Sequence, residues 1–224
     1  MPQADRWLDA TWPRVRDRLP APPARVLELG CGAVGGHVPR LRAAGYDAIG
    51  VDPAAPDGED YCRVDFERYD ADSAFDAVVA STSLHHVADP PDVLDRIAGI
   101  LGPGGRVVVI EWHWEAFDEP TAEWAFRRLG PGHDANWLRG HRDGWAASGL
   151  PWSAYLGGWA DGHGIHPARE LLRLLEERFP LEAPPVYGPY LFADLGTTSE
   201  EEEQGAIATG EISATRVEVV GRRM

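Results

Sequence analysis

Residues Arg25 to Gly36 read RVLELGCGAVGG, with glycines at positions 30, 32 and 35. A short apolar run that ends at once in glycines and then enters helix-forming sequence describes a strand, a tight turn and a helix. That arrangement sets backbone N–H groups and the positive end of the helix dipole at the carboxyl edge of a sheet. Gly30 and Gly32 permit the turn and the close approach of a ligand, where side chains would block it. The spacing G-x-G-x-x-G is the one associated with dinucleotides. A second strand, AIGVD, ends in Asp52 about twenty residues past the loop, where a carboxylate can accept from both hydroxyls of a ribose. The pair specifies an adenosine-containing ligand and leaves its kind open.

The rest of the chain frames that site. With 224 residues and 44% apolar side chains, it is long enough for one substantial core and short for two. A single domain, 1–224, is expected. The formal charge of −15 repels phosphate backbones and anionic lipid surfaces, so neither nucleic acid nor membrane is an expected partner. Every basic residue is Arg, which excludes Schiff-base and lysine-base chemistry. Cys31 and Cys62 have no metal-ligand or C-x-x-C spacing, and Cys31 reads as a small buried residue. The start, MPQADRWLDATW, lacks a basic and apolar leader, and no segment has the ~20 apolar residues that span a bilayer. A cytoplasmic protein is expected, a monomer or a homodimer.

Around the glycine loop, strand and helix patterns alternate. Residues 1–22 hold an N-terminal helix, with Trp7, Leu8, Trp12, Val15 and Leu19 at helical spacing and Pro13 interrupting. Residues 24–111 give strands at RVLEL, DAIGVD, YCRVDF, FDAVVAS and GRVVVIEW, with helices at GHVPRLRAAG and PPDVLDRIAGIL. Such alternation implies right-handed crossovers and a parallel sheet covered on both faces, and the unbroken runs AVVA and VVVI suit strands buried on both sides. Residues 112–180 change character: rich in Trp, Gly and His up to residue 166, they read as an irregular insertion before the amphipathic helix PARELLRLLEERF. Residues 181–224 hold the last two strands, PVYGPYLFADL and ATRVEVVG, around a helix with a Ser199/Glu202 capping box.

Glu28 decides between adenosine ligands. It stands two residues before the first glycine, where a carboxylate would repel a nearby pyrophosphate and attract a cation or an ammonium group. With VLELGCG and GVD, the stretches DAVVASTSLHHVADPPDVL and ILGPGGRVVVIE resemble, in order and spacing, the motifs of class I S-adenosylmethionine-dependent methyltransferases of the small-molecule type. The resemblance covers roughly residues 24–111. It implies a doubly wound, mostly parallel seven-stranded α/β sheet (a Rossmann-like methyltransferase fold) with an antiparallel last strand and a helical, Trp-rich insertion. It also implies S-adenosylmethionine as cofactor. Glu28 would orient the amino-acid end, with Gly30 and Gly32 beneath the methionine portion and Gly35 completing the loop. Asp52 would hold the ribose, Asp65 and Phe66 would meet the adenine, and Ser81 and Thr82 would line the sulfonium region. His85 and His86 would begin the wall toward the substrate. The loop departs from the family's G-x-G-x-G by what looks like one inserted residue near Val34.

Catalytic candidates are His113, just past the fifth strand's apolar run, and His86; each has a structural alternative, a surface His between packed tryptophans or a helix cap. His133, His141, His163 and His166 lack metal spacing and read as loop or cap residues, so no metal is expected. Trp112, Trp114 and Tyr155 are expected to contact a flat or hydrophobic small-molecule substrate, since Trp, Gly and His at a carboxyl edge describe an apolar pocket with a few polar handles. Transfer to an O, N or C atom is the expected reaction. Two rivals follow from the same residues: a cofactor-binding partner without activity, and a nicotinamide reductase, which Glu28 and the absence of a Tyr-x-x-x-Lys pair disfavour.

Overall fold

The computed structural model describes residues 3–130 and 136–224; His133 lies outside them. The chain runs α1 (Gln3–Arg18), β1 (Arg25–Leu29), α2 (Val38–Ala43), β2 (Asp47–Val51), β3 (Tyr61–Cys62), β4 (Phe75–Ser81), α3 (Pro90–Ile100) and β5 (Leu101–Trp112). Then follow α4 (Glu119–Arg127), α5 (Trp137–Ser148), α6 (Trp152–Gly162), α7 (Ala168–Arg178), β6 (Val186–Gly188), α8 (Glu200–Ala208) and β7 (Arg216–Arg222). The sheet order is β3-β2-β1-β4-β5-β7-β6. Strands β1 to β5 pair in parallel, and β7 runs antiparallel to β5 and β6. This is the doubly wound sheet expected from the alternating pattern.

Alternation along each strand divides the core. Leu27, Leu29, Val78, Ala80, Val107 and Val109 face α3 and α7, whereas Val26, Ala77, Val79, Val108 and Ile110 face the side that α1 and α2 cover. A third cluster, built on Trp112, Phe117, Trp124, Trp152 and Leu156, sits in the insertion. That insertion is helical, as α4, α5 and α6.

Three local expectations change. Helix α1 runs through Pro13 without a break. An internal proline costs a helix about 3 kcal/mol, which the burial of Leu8, Thr11, Val15 and Leu19 and the ion pairs of Arg14 and Arg18 with buried Glu218 oppose. The YCRVDF strand stops at Cys62, because Phe66 turns inward on a 3-10 turn, Phe66–Arg68, and packs in the core. PVYGPYLFADL is strand only at Val186–Gly188; Pro189 has no N–H to extend the ladder, and a buried carboxylate, Glu203, takes the next three backbone donors, Tyr190, Leu191 and Phe192. The Ser199/Glu202 capping box forms as read.

Two buried imidazoles make stability depend on pH. Burial, with Arg40 adding for His37 and His163 for His141, pushes both down to about 4. A folded value below the ordinary one stabilises above the ordinary value and is lost as pH falls through the folded value. Glu28, raised to about 7, acts with the opposite sign in the same window. A variant comparison isolates the imidazole: the slope of thermal midpoint between about pH 6.5 and about pH 4 is expected to be shallower in His141→Phe than in the parent chain. Equal slopes in a melting series would contradict the assignment.

Candidate active site

The glycine loop, Asp52, the turn after β3 and the turn after β4 converge on one cavity of ≈ 690 Å³ at the carboxyl edge of the sheet. Its wall includes Gly30, Gly32, Asp52, Asp65, Phe66, Thr82, Ser83 and His86. A smaller chamber of ≈ 120 Å³ adjoins it, sharing Gly30 and Thr82 and bounded by Glu28, Ser81, Val34 and, from α1, Trp7.

The loop geometry explains each glycine. A Cβ on Gly30 would overlap Ser83, one on Gly36 would overlap the Glu28 carboxylate, and Gly32 has nothing within 4 Å of where its Cβ would be. Gly32 therefore presents bare backbone to the cavity. Gly35 does not line either space: it packs against Tyr61, whose hydroxyl would lie 2.5 Å from a Cβ there. The added length goes outward as a turn closed by Gly35 N–H to the Gly32 carbonyl (3.1 Å), with Val34 at its tip, 66% exposed. The insertion stays clear of the larger cavity, while Val34 reaches the border of the smaller chamber.

Both Asp52 oxygens are pinned by backbone donors, Gly32 N–H at 2.9 Å and Ala54 N–H at 2.7 Å, which fixes the carboxylate on the cavity wall. Glu28 is almost wholly buried, and its Oε2 accepts from His37 N–H at 2.7 Å. Burial outweighs its backbone hydrogen bonds and pushes the carboxyl up to about 7. Cys31 is buried, and burial, with Glu28 and Asp52 beside it, pushes its thiol up to about 12, which makes it inert.

Thr82 is the one non-glycine residue at positive φ (+55°) among the described residues, and a β-branched side chain there is strained. Glu111, which sequence reading passed over, holds this turn. Its carboxylate, 1% exposed, accepts from Ser83 N–H (2.9 Å), Leu84 N–H (2.7 Å), Trp112 N–H (3.3 Å) and His85 Nδ1 (2.5 Å). The only signal was an acid ending the buried run VVVIE. His85 is held by its bond to Glu111 and does not line the cavity where the cofactor contact is expected. His86 does line the cavity; desolvation first, and then His85, keeps its imidazole below the ordinary range.

His113 points elsewhere. Its ring lies 5.5 Å from Tyr187 of β6, where burial, then Arg169, lowers its pKa against the opposing pull of Glu115 and the Ala214 carbonyl. It touches neither cavity. Tyr155 packs its hydroxyl over Gly144 and its ring by His141 and Trp152, away from both spaces. Trp114 ties its indole N–H to the His166 carbonyl (3.3 Å) at the border of the aromatic cluster. Trp112 sits at the centre of that cluster, against Trp137, Trp159 and Tyr190. His141 is no cap but a buried member of it. Among the described residues no group of His, Cys, Asp and Glu could hold a metal.

Sheet order, glycine loop and carboxyl-edge cavity together define the class I S-adenosylmethionine-dependent methyltransferase class. A family model described as a methyltransferase domain matches residues 4–178, and the chain belongs to that family. It is 32% identical over 108 residues to a ubiquinone biosynthesis O-methyltransferase of Bradyrhizobium sp. (strain ORS 278), covering 42% of each chain. It is 33% identical over 121 residues to a demethylmenaquinone methyltransferase of Clavibacter sepedonicus, covering 46% of this chain and 48% of that one. The match thus spans about half the length of these relatives. In fold it is similar to an S-adenosylmethionine-dependent methyltransferase from Mesorhizobium loti, with TM-score 0.59, 22% identity, and coverage of 96% and 100%.

Removing the Glu111 carboxylate strands three backbone donors and an imidazole in a buried interior, a loss of about 3–5 kcal/mol. Glu111→Ala is expected to lower unfolding free energy in urea by that order, and a change under ~1 kcal/mol would contradict this placement.

Proposed function

We propose that the protein transfers a methyl group from S-adenosylmethionine to an O, N or C atom of a small organic molecule. The observation that carries this is the cavity itself: bare Gly32 backbone, a pinned Asp52 carboxylate and the Asp65–Phe66 turn lie on one wall, and the buried acid Glu28 bounds the adjoining chamber. These residues fit the cofactor. Asp52 would accept from the ribose hydroxyls, Asp65 and Phe66 would meet the adenine edge and face, and Glu28 with Ser81 would receive the amino-acid end. S-adenosylmethionine, when bound, supplies an electrophilic methyl group. The chain's part is to align the acceptor, and orientation alone can contribute ~7 to 11 kcal/mol in favourable cases. His86, the neutral imidazole on the wall, is assigned to accept the proton of a hydroxyl or amine at a ring nitrogen. Residues 112–180 act as the substrate lid of a single domain. The names of the quinone-related relatives support a small-molecule acceptor. Cytoplasmic location and a monomer or homodimer complete the reading, to be checked by fractionation and light scattering; among the described residues no helix is long and apolar enough to cross a membrane.

Calorimetric titration tests the cofactor directly: absence of binding by both S-adenosylmethionine and S-adenosylhomocysteine would overturn the reading. Asp52→Ala is expected to weaken S-adenosylhomocysteine by at least about tenfold, since two charge-assisted hydrogen bonds are lost. Glu28 adds a pH signature. Because its carboxyl ionises only near pH 7, affinity for the ligand's ammonium group should climb between about pH 6 and pH 8. Glu28→Gln should bind more weakly with a flat profile; a climb that persists in this variant would assign the titration to another group.

A further inference from the structure

Aromatic rings form a continuous path from the small chamber into the lid. Trp7 donates its indole N–H to Ser81 Oγ (3.2 Å) and meets Tyr190 edge-on at 4.9 Å. Tyr190 stacks near-parallel to Trp112 at 6.0 Å. Trp112 and His141 each flank the same two partly buried indoles: Trp137, at 5.1 and 5.4 Å, and Trp159, at 6.3 and 4.5 Å.

The polar atoms of these rings fall into two sets. The indole N–H groups of Trp114, Trp145 and Trp152 are tied to the carbonyls of His166, Leu150 and Phe117. Trp112 Nε1 and His141 Nδ1, on side chains 5% and 4% exposed, have no partner among the described residues, nor has Trp124 Nε1, whose ring lies under Arg128; only the first two flank the same pair of solvent-reached indoles. A buried donor without a partner costs about 1–3 kcal/mol, so a ligand that supplies the partner recovers that cost. Trp112 and His141 are covered by Trp137 and Trp159, which solvent already reaches, so a ligand would enter by displacing those two rings.

The chemistry of the missing partner follows. An indole N–H only donates, so the ligand must present an acceptor, which an ammonium group lacks. The ionised oxygen of a carboxylate or phosphate is disfavoured by the acids nearby: Glu111 adjoins Trp112, and the negative charges of Asp194 and Glu111 act with burial to raise the Tyr190 phenol well above its usual value. A neutral carbonyl or hydroxyl oxygen remains. Walls of edge and face π-systems select a flat ring to carry it.

We propose that Trp112 and His141, beneath Trp137 and Trp159, form the acceptor pocket, and that its substrate is an uncharged planar aromatic compound held by a carbonyl or hydroxyl oxygen. The proposal rests on the methyltransferase reading for its meaning but not for its test, which reads binding alone. Equilibrium dialysis of the full chain would use 1-naphthol, naphthalene, 1-naphthoate and 1-naphthylmethylammonium, with S-adenosylhomocysteine affinity measured separately. 1-Naphthol is expected to bind about tenfold more tightly than each of the others, the value of one good hydrogen bond to a buried donor. Trp112→Phe should erase the advantage of naphthol over naphthalene, both ligands sharing any loss of ring contacts, while S-adenosylhomocysteine still binds. Equal binding of naphthol and naphthalene by the parent chain, or preference for the anion or the cation, would overturn the proposal, as would undiminished selectivity in Trp112→Phe. If that variant loses S-adenosylhomocysteine binding, the parent chain's selectivity and His141→Phe decide. Naphthol selectivity without any S-adenosylhomocysteine binding would support the pocket and count against the cofactor reading.

Discussion

Glu111 buries a carboxylate near the end of β5, and the turn after β4 is arranged around satisfying it. Left alone, such a charge is prohibitive; with Ser83, Leu84 and Trp112 N–H and the His85 ring as donors, it becomes a tie point. The magnitudes decide the local conformation. Holding Thr82 at φ +55° costs on the order of 1–3 kcal/mol, while each hydrogen bond to a charged group contributes about 1.5–3 kcal/mol. The two backbone bonds at Ser83 and Leu84 suffice to hold the strained turn, and with it the wall that Thr82, Ser83 and His86 present to the cavity.

The same device recurs with different consequences. Glu203, on α8, collects the N–H groups of Tyr190, Leu191 and Phe192, and so fixes where the Tyr190 ring stands between Trp7 and Trp112. Glu28 takes His37 N–H and lies where a side chain on Gly36 would have to be. Glu218 receives Arg14 and Arg18 of α1 and Arg216 of its own strand. Three of these acids hold a turn by its backbone, and the fourth holds a helix by its side chains. In the first three a rigid element supplies the carboxylate and an irregular one supplies the donors, which is why irregular segments can line a site with fixed geometry.

These carboxylates also mark where sequence reading stops. The sheet was legible because burial on both faces leaves unbroken apolar runs such as VVVI, and because the loop, Asp52 and Glu28 carry chemistry in fixed local spacing. The strand at YCRVDF and the one at PVYGPYLFADL were overread: apolar content predicts burial, but whether a backbone pairs with a strand or with Glu203 depends on residues far along the chain. His85 and Gly35 failed for a related reason. Both sit at the right place in a motif, yet one is captured by Glu111 and the other by Tyr61, partners 26 positions away from each or set by packing across β3. The insertion was hardest, since helices rich in Trp and Gly show weak periodicity and many of its contacts are between rings.

Charge ties the two halves of the site together. A chain with a net charge of −15 that buries acids beside its cavity sets a field that favours a cation at the cofactor's end and opposes an anion at the acceptor's. The imidazoles conform: His141 is pushed down to about 4 by burial, and His86 is also lowered, so the aromatic cluster and the cavity wall carry uncharged histidines at neutral pH. A positively charged donor beside a neutral acceptor is the arrangement in which charge is dispersed as the methyl group moves, and low-dielectric aromatic walls penalise that movement less than they would the creation of new charge. The tryptophans of the insertion thus do more than fill a core: by adding no charge of their own, they let the few fixed acids set the electrostatics of the edge.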